Sequence, residues 1–255
     1  MKTIRFVSLI ALLVLMSCNY NRLCADESAR GKLVESADPN RKENTMAVQL
    51  KWFGHASFKI TDGNTVIYID PWKLKDANHD ATLVLVSHSH YDHLSSPDIV
   101  KVSDANTKLI ASADVVQKER KGEVLKPGQT ITAGAVKITG VPAYNPAKQF
   151  HPKSNNWLGF VIEIAGKRIY YAGDTDLTDE MKALKNIDLA LLPAGGTYTM
   201  NAAEAADATK FFKPKKAIPY HWGDIVGGKA DADNFAKKAA CEVKVLNPGE
   251  SMNIE

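Results

Sequence analysis

An apolar run that leads straight into a histidine cluster is the feature that most limits how this chain can fold. The segment TLVLV, residues 82–86, has the continuous apolar character of a strand that is buried on both faces. It is followed by SHSHYDHLS, residues 87–95, which holds three histidines and one aspartate in nine positions. Ligands in α/β proteins gather at the carboxyl ends of strands. The sequence therefore predicts a binding site where this strand ends.

The side chains of this cluster form a set that is suited to metal ions. His88 and His90 are two positions apart, which places both rings on one side of an extended segment. Asp92 and His93 follow in the turn beyond. Imidazole nitrogens together with a carboxylate oxygen suit zinc, manganese or iron. The alternative is a polar loop of solvated histidines, and the density of the cluster at a strand end argues against it.

The chain from residue 46 onward has two β-rich halves, each followed by alternating strands and helices. Three β-rich runs separated by the turn signals GHA and DGN open the first half, and the pair WLGFVIEI and RIYYAG forms a hairpin in the second. Helices are predicted in SSPDIVKVS, ADVVQKER, DLTDEMKALKN, NAAEAADATKFFK and ADADNFAKKAA. This order favours an α/β protein with two packed sheets between outer helices, an αββα four-layer sandwich spanning residues 46–255.

The first 45 residues differ in character from the rest. Phe6–Met16 is an apolar run of 11 residues after a short basic start. A bilayer-spanning helix needs ~20 such residues, so residues 1–17 are predicted to be a signal peptide. LMSC resembles the lipobox of bacterial lipoproteins, in which the cysteine, here Cys18, carries the lipid; ordinary cleavage after Ala25 is the alternative. Residues 18–45 are polar and are predicted to form a flexible tether.

These features predict export, either as a lipoprotein anchored to a bacterial cell envelope or as a soluble periplasmic or secreted protein. The formal net charge of +3 includes two basic residues of the signal peptide, and without them 30 basic side chains stand against 29 acidic ones. A nearly neutral chain does not support nucleic-acid binding. Cys24 and Cys241 are as compatible with a disulfide as with two free thiols.

Several motifs resemble the metallo-β-lactamase superfamily of metal-dependent hydrolases. The pattern H-x-H-x-D-H in residues 88–93 is similar to the signature of that family. RIYYAGDTD resembles the strand that ends at the family's bridging aspartate, here Asp174, and AIPYHW the strand that ends at its last histidine ligand, here His221. WFGHASFKI, LLPAGGTYTM and NPGES resemble a lactonase-like branch, similar to L-ascorbate-6-phosphate lactonase. The resemblance covers about residues 47–255.

This resemblance implies a site for two divalent metal ions, with zinc favoured over manganese or iron. The implied ligands are His88, His90, Asp92, His93, His151, Asp174 and His221. The first ion would take His88, His90 and His151, with a solvent-facing loop histidine as the alternative for His151. The second would take Asp92, His93 and His221, and Asp174 would lie between the two ions.

The chemistry that the resemblance implies is hydrolysis of an ester, lactone, amide or phosphoester in a small molecule. Two cations ~3.5–4 Å apart lower the pKa of a shared water, and the resulting hydroxide would attack the substrate. Asp92 and Asp174 are the expected catalytic residues, either of which would pass a proton to the leaving group. The alternatives are a phosphodiesterase or nuclease of the same superfamily, a non-catalytic metal-binding surface protein and iron-based oxidation.

Three further residues are expected in or near the pocket. His55 follows a strand of the opening meander, and a purely structural hydrogen-bonding role is its alternative. Asp70 is expected to support the metal-binding loop, because ligating histidines usually donate their second N–H to a partner; a helix cap is the alternative. Tyr198 is expected to line the pocket or to lie in the core. The sequence indicates no oligomeric state.

Overall fold

Each half of the chain builds one of two mixed β-sheets, except that the last strand of the chain joins the first sheet. The computed structural model describes residues 47–255. The strands of the first half are β1 (Gln49–Gly54), β2 (Ser57–Asp62), β3 (Thr65–Ile69), β4 (Ala81–Val86), β5 (Ser103–Ala111) and β6 (Glu123–Val124). The strands that follow are β7 (Thr130–Ala133), β8 (Val136–Pro142), β9 (Leu158–Ile164), β10 (Lys167–Tyr171), β11 (Leu189–Pro193), β12 (Lys216–Tyr220), β13 (Glu242–Val243) and β14 (Ser251–Asn253).

The two sheets have matching topologies. In the first, β1, β2 and β3 form an antiparallel meander, and β4, β5 and β6 continue the sheet in parallel. In the second, β7 to β10 are antiparallel, and β11, β12 and β13 continue in parallel. The last two strands of the chain are short and lie in different sheets. β13 extends the second sheet, whereas β14 pairs with β1 in the first.

Helices pack on the outer faces of both sheets. They are α1 (Ser96–Val102), α2 (Ala113–Glu119), α3 (Asp179–Lys182), α4 (Ala202–Phe212) and α5 (Lys229–Lys238), and a short 3-10 turn covers Lys153–Asn155. Ser95 caps α1 with Pro97 in its first turn, and Asn201 with Glu204 forms a capping box at α4. Thr178 caps α3 by accepting a hydrogen bond from the Met181 amide.

Three apolar layers hold the structure together. The central layer lies between the sheets and includes Trp52, Phe58 and Phe160, because alternate residues of each strand point inward. A second layer packs α3, α4 and α5 on the second sheet around Phe212 and Phe235, and a third packs α1 and α2 on the first sheet. The predicted αββα four-layer sandwich is confirmed.

Residues 1–46 lie outside the described part of the chain, and with them the predicted signal peptide, Cys18, Cys24 and the whole predicted tether. Among residues 47–255, no helix is long and apolar enough to cross a bilayer. Cys241 is half-buried, and burial raises the pKa of its thiol to about 11.

Candidate metal centre

The fold brings all seven residues of the predicted ligand set together. Four of them, His88, His90, Asp92 and His93, follow the carboxyl end of β4. His151 lies in the loop between β8 and β9, Asp174 just after β10 and His221 directly after β12. Six of the seven ligands thus follow the carboxyl ends of strands that have a parallel neighbour, where α/β proteins gather their ligands, and His151 is the exception.

The seven residues form two groups around a shared carboxylate. His88, His90 and His151 make the first group, in which one ligand atom of each lies within 4.8 Å of the others. Asp92, His93 and His221 make the second, and His55 joins them within the same 4.8 Å limit.

Asp174 is the carboxylate that touches both groups. Its Oδ1 atom lies 3.2 Å from His93 Nε2, and its Oδ2 atom lies 3.2 Å from His151 Nε2 and 3.2 Å from His221 Nε2. His151 belongs to the first group, and His93 and His221 belong to the second. The side chain is buried, with 4% of the residue exposed. One carboxylate thus links ligand atoms from three separate segments of the chain.

Five buried ligand atoms at the centre of the cluster make no hydrogen bond with any residue from 47 to 255. They are Nε2 of His88, His93, His151 and His221 and Oδ1 of Asp174. The 3.2 Å contacts of Asp174 are close enough for ion pairing but are not aligned as hydrogen bonds. An unpaired buried polar atom costs about 1–3 kcal/mol, so five in one place are expected only where something else binds them. Imidazole nitrogens and a carboxylate oxygen fit a divalent transition metal.

Asp70, at the end of β3, orients two of the motif histidines. Its Oδ2 atom accepts hydrogen bonds from His93 Nδ1 (2.7 Å), Ser87 Oγ (2.6 Å) and Tyr171 OH (2.5 Å). Ser87 Oγ in turn lies 2.9 Å from His88 Nδ1. Asp70 is fully buried and contacts the motif loop rather than a helix end. Such partners fix the ring orientation of ligating histidines, which is the role expected of Asp70 from the sequence.

A different residue supports His151. The Oδ1 atom of Asn145 accepts hydrogen bonds from the backbone amide of His151 (3.0 Å) and from its Nδ1 atom (2.8 Å). The amide group of Asn145 donates to the carbonyl of Tyr198 (3.1 Å). Sequence reasoning missed Asn145, because the sequence of the loop contains no motif that includes it. It also missed Ser87, although a serine directly before the motif is a visible signal.

His55 lies inside the second group. Its Nε2 atom donates to Asp92 Oδ2 at 2.9 Å, and its ring centroid is 4.1 Å from that of His221. Its carbonyl oxygen accepts hydrogen bonds from the His221 amide (3.0 Å) and from Trp52 Nε1 (3.1 Å). His55 therefore holds one predicted ligand through its side chain and another through its backbone.

Burial and charge set the ionisation of the site. Burial lowers the pKa of His88 well below its ordinary value. Burial also acts to lower the pKa of His93, but Asp174 and Asp70 outweigh it and raise that pKa well above its ordinary value. Burial acts to raise the pKa of both ligand carboxylates. The charges of His221 and His93 nevertheless hold the pKa of Asp174 well below its usual range.

The second ligand carboxylate is also ionised at neutral pH. The hydrogen bond from His55 and the charge of His93 outweigh burial and lower the pKa of Asp92 to about 2. Two anionic carboxylates side by side favour a cation between the histidines. Because imidazole must be neutral to coordinate, an ion bound at His93 displaces its proton.

A cavity of about 240 Å³ opens over the site. Five predicted ligands line it: His90, Asp92, His151, Asp174 and His221. Tyr198 lines it too, in agreement with one of the two placements left open by the sequence, and its ring meets that of Phe150 edge-on at 4.8 Å. Tyr91, Phe150 and Ile225 complete the wall. The sequence carries no motif for these three residues.

Comparison with known proteins identifies the family. The family model for the beta-lactamase superfamily domain matches residues 49–221. The chain belongs to the β-lactamase superfamily. A UPF0173 metal-dependent hydrolase from Thermococcus onnurineus is 34% identical over 227 residues, covering 81% of this chain and 100% of the relative. The predicted family and the predicted enzyme class, a metal-dependent hydrolase, are confirmed.

Two solved structures resemble this hydrolase in fold. Igni18, a metallo hydrolase from Ignicoccus hospitalis, matches with a TM-score of 0.67 and 26% identity, over 82% of this chain and 99% of the other. A diiron β-hydroxylase from Streptomyces venezuelae matches with a TM-score of 0.63 and 11% identity, over 81% of this chain and 54% of the other. The second likeness shows the fold alone. The likeness to a lactonase-like branch stays a prediction.

Proposed function

We propose that this hydrolase holds two divalent metal ions and hydrolyses an ester, lactone, amide or phosphoester in a small molecule. The observation that carries the proposal is the position of Asp174, whose two oxygens lie 3.2 Å from ligand nitrogens of both groups. A carboxylate in such a position can coordinate two cations at the same time. The unpaired Nε2 atoms around it add further support.

In this proposal the first ion would be held by His88, His90 and His151, and the second by Asp92, His93 and His221. Asp174 would contribute to both. Zinc is favoured, with manganese or iron as the alternatives, because the donors are imidazole and carboxylate without thiolate. When bound, a pair of such ions polarises the substrate oxygen and lowers the pKa of a water between them.

Residues of the chain itself orient the metal ligands and transfer protons. Asp70 and Asn145 fix the rings of His93 and His151 through their Nδ1 atoms. His55 holds Asp92 through Oδ2. Asp92 and Asp174 line the cavity and are the groups placed to carry a proton to the leaving group.

Metal analysis joined to a substrate panel tests this proposal. We expect two equivalents of metal per chain and chelator-sensitive hydrolysis of at least one ester, lactone or phosphodiester, restored when metal is added back. His151→Ala should lose metal, whereas the matched control His79→Ala should not, because His79 is exposed and bonds only to the backbone of residues 101 and 103. One equivalent of metal in the native protein would contradict the dinuclear site.

The same measurement separates the alternatives. The near balance of 32 basic and 29 acidic side chains gives no support to a nuclease, and turnover of phosphodiesters alone would favour one. Two bound irons with a visible absorption band, and no hydrolysis, would favour oxidation chemistry like that of the diiron neighbour. Metal binding without turnover of any substrate would favour the alternative of a non-catalytic metal-binding surface protein.

We further propose that the protein is exported and anchored through a lipid on Cys18. The support is the apolar run Phe6–Met16 followed by LMSC. Fractionation of cells tests it. The native protein is expected in the membrane fraction and Cys18→Ser in a soluble fraction, and recovery of both from the cytoplasm would contradict export.

A further inference from the structure

The cavity wall outside the predicted ligands is apolar. Its other residues are Tyr91, Phe150, Tyr198 and Ile225, which present aromatic rings or an aliphatic chain. Among residues 47–255, no lysine or arginine lines this cavity. Every charged or titratable group on the wall, the two tyrosine hydroxyls aside, belongs to the predicted metal centre.

Two of these aromatic residues are exposed at the mouth of the cavity. Tyr91 is 69% exposed and Phe150 is 46% exposed, and they are among the few large hydrophobic residues of the described chain with so much surface in water. Exposed apolar surface beside a pocket marks a place where a ligand binds. The ring of Phe150 packs edge-on against Tyr198, at an interplanar angle of 85°.

The loop that carries Phe150 is anchored on both sides of the ring. Lys148 donates to Asp176 Oδ1 and to the carbonyl of Thr199, each at 2.6 Å. The neighbouring His151 is fixed by Asn145. The ring is therefore held at the cavity by the same contacts that hold a predicted ligand.

The lysines on adjoining segments already have partners. Lys73 pairs with both oxygens of Asp224 at 2.8 and 3.0 Å, and Lys118 donates to the carbonyl and hydroxyl of Ser89. Lys148 is held by Asp176. A second anionic group on a substrate, away from the reacting centre, would have to displace one of these contacts or lie unpaired against aromatic rings. Burying an unpaired charge is strongly unfavourable.

We infer that the substrate is a neutral acyl compound, an ester, lactone or amide, whose acyl part is a short apolar chain or a single ring. This inference rests on the proposed function and narrows it. The cavity of about 240 Å³ lies below the roughly 300–1,000 Å³ of drug-sized sites, which limits the group to a small one. A phosphorylated sugar lactone is not in this class, because its phosphate has no cation on the wall.

The reaction adds one water across one bond. The oxygen of water bonds to the acyl carbon, and the bond from that carbon to the leaving oxygen or nitrogen breaks with its electron pair. One proton of the water goes to the leaving group, the other is released to solvent, and the acyl part becomes a carboxylate. No oxidant or reductant takes part.

A pair of substrates of equal length tests the inference. 4-Nitrophenyl hexanoate and the mono-4-nitrophenyl ester of adipate differ at the far end of the acyl chain, where the second carries a carboxylate. We expect kcat/KM to be at least about tenfold higher for the hexanoate, and higher for the hexanoate than for 4-nitrophenyl acetate by a similar factor. Phe150→Ala should remove most of the preference for hexanoate over acetate, and Phe150→Leu should keep it.

The matched control is Phe211→Ala. Phe211 is 50% exposed, close to the value of Phe150, but it lies on α4 beside Lys182. This variant should leave both preferences unchanged. Loss of the chain-length preference in Phe211→Ala as well would show a general effect of surface aromatic residues and would overturn the inference.

Calorimetric titration with the product carboxylates, which are hexanoate, adipate and acetate, measures binding affinity independently of turnover. Hexanoate should bind the metal-loaded protein at least about tenfold more tightly than adipate or acetate, with the difference lost in Phe150→Ala. Adipate binding as tightly as hexanoate overturns the inference even if esters are hydrolysed. If no ester, lactone, amide or phosphoester is hydrolysed but hexanoate binds with this pattern, the proposed function fails while the apolar class of ligand stands.

Discussion

The two halves of the molecule supply the metal centre in different ways. The first half provides four predicted ligands from one segment, residues 88–93, after β4. The second half provides His151, Asp174 and His221 from three separate loops. Apart from His151, which lies in the loop between the antiparallel strands β8 and β9, the ligands of both halves follow the carboxyl ends of strands that have a parallel neighbour. The difference is that the first half concentrates its ligands and the second disperses them.

This difference extends to what holds the ligands in place. Asp70 serves two ligands of the first half, His93 directly and His88 through Ser87. In the second half His151 and His221 have separate supports. Asn145 holds His151, and the backbone of His55 holds that of His221, a residue with a left-handed φ of 62°. We therefore expect one substitution in the first half to disturb both metal ions and most in the second half to disturb one.

Asp174→Asn gives the largest expected effect, because Asp174 is the second-half residue that touches both groups. Loss of a residue that only supports a ligand costs about 10–100-fold in metal affinity or activity. Loss of the shared carboxylate should lower metal affinity and activity by more than about 100-fold and reduce the metal content below two equivalents. Metal analysis and kcat/KM check this, with Asp207→Asn as control, because Asp207 is exposed on α4 and pairs with Lys210 away from the cavity. Two retained equivalents would show that Asp174 does not link the ions.

Gly195→Ala tests the dispersed half through its backbone. A Cβ atom at Gly195 would lie 2.0 Å from the carbonyl oxygen of His221, so the ligand segment must move. Overpacking typically lowers the free energy of unfolding by about 1–3 kcal/mol, and for a contact this short we expect a loss at the upper end of that range. Thermal unfolding should show a clear loss of stability. Gly228→Ala is the control, because its Cβ would meet nothing within 4 Å; equal stability in the two variants would contradict the prediction.

Asp70→Asn tests the concentrated half. The Oδ2 atom of Asp70 accepts three hydrogen bonds, from His93, Ser87 and Tyr171, and an amide in its place cannot accept them all. We expect metal affinity to fall by about 10–100-fold for both ions. Competition with a chelator measures this, and Asp76→Asn on the exposed loop is the control. A loss of affinity for one ion alone would contradict the expectation that a single residue of the first half supports ligands of both ions.

Asn145→Ala should have the smallest effect of the four, at about tenfold, and should weaken one ion only. Asn145 contacts His151 alone among the predicted ligands. A binding titration that resolves two steps should show one step displaced and the other unchanged. Asn145→Asp keeps the accepting oxygen and should restore most of the affinity. Equal weakening of both steps would mean that the second half does not support its ligands separately.

The same contrast explains what could be read from the sequence. The motif histidines and the strand before them are local patterns, so residues alone predicted that part of the site and the fold around it. His151, Asp174 and His221 followed only from resemblance to a family, since their loops are far apart in the chain. Asn145, Tyr91 and Phe150 were not predicted at all. Their roles depend on which loops approach one another in the folded protein, and no local periodicity encodes that.

The position of β14 has a consequence for synthesis of the chain. The last strand, Ser251–Asn253, pairs with β1, near the start of the domain. A ribosome therefore has to synthesise and release Ser251–Asn253 before the first sheet can be completed. Until then β1 presents an open edge, and a nascent chain that stalls before residue 251 carries the other strands of this sheet but lacks the one that covers that edge.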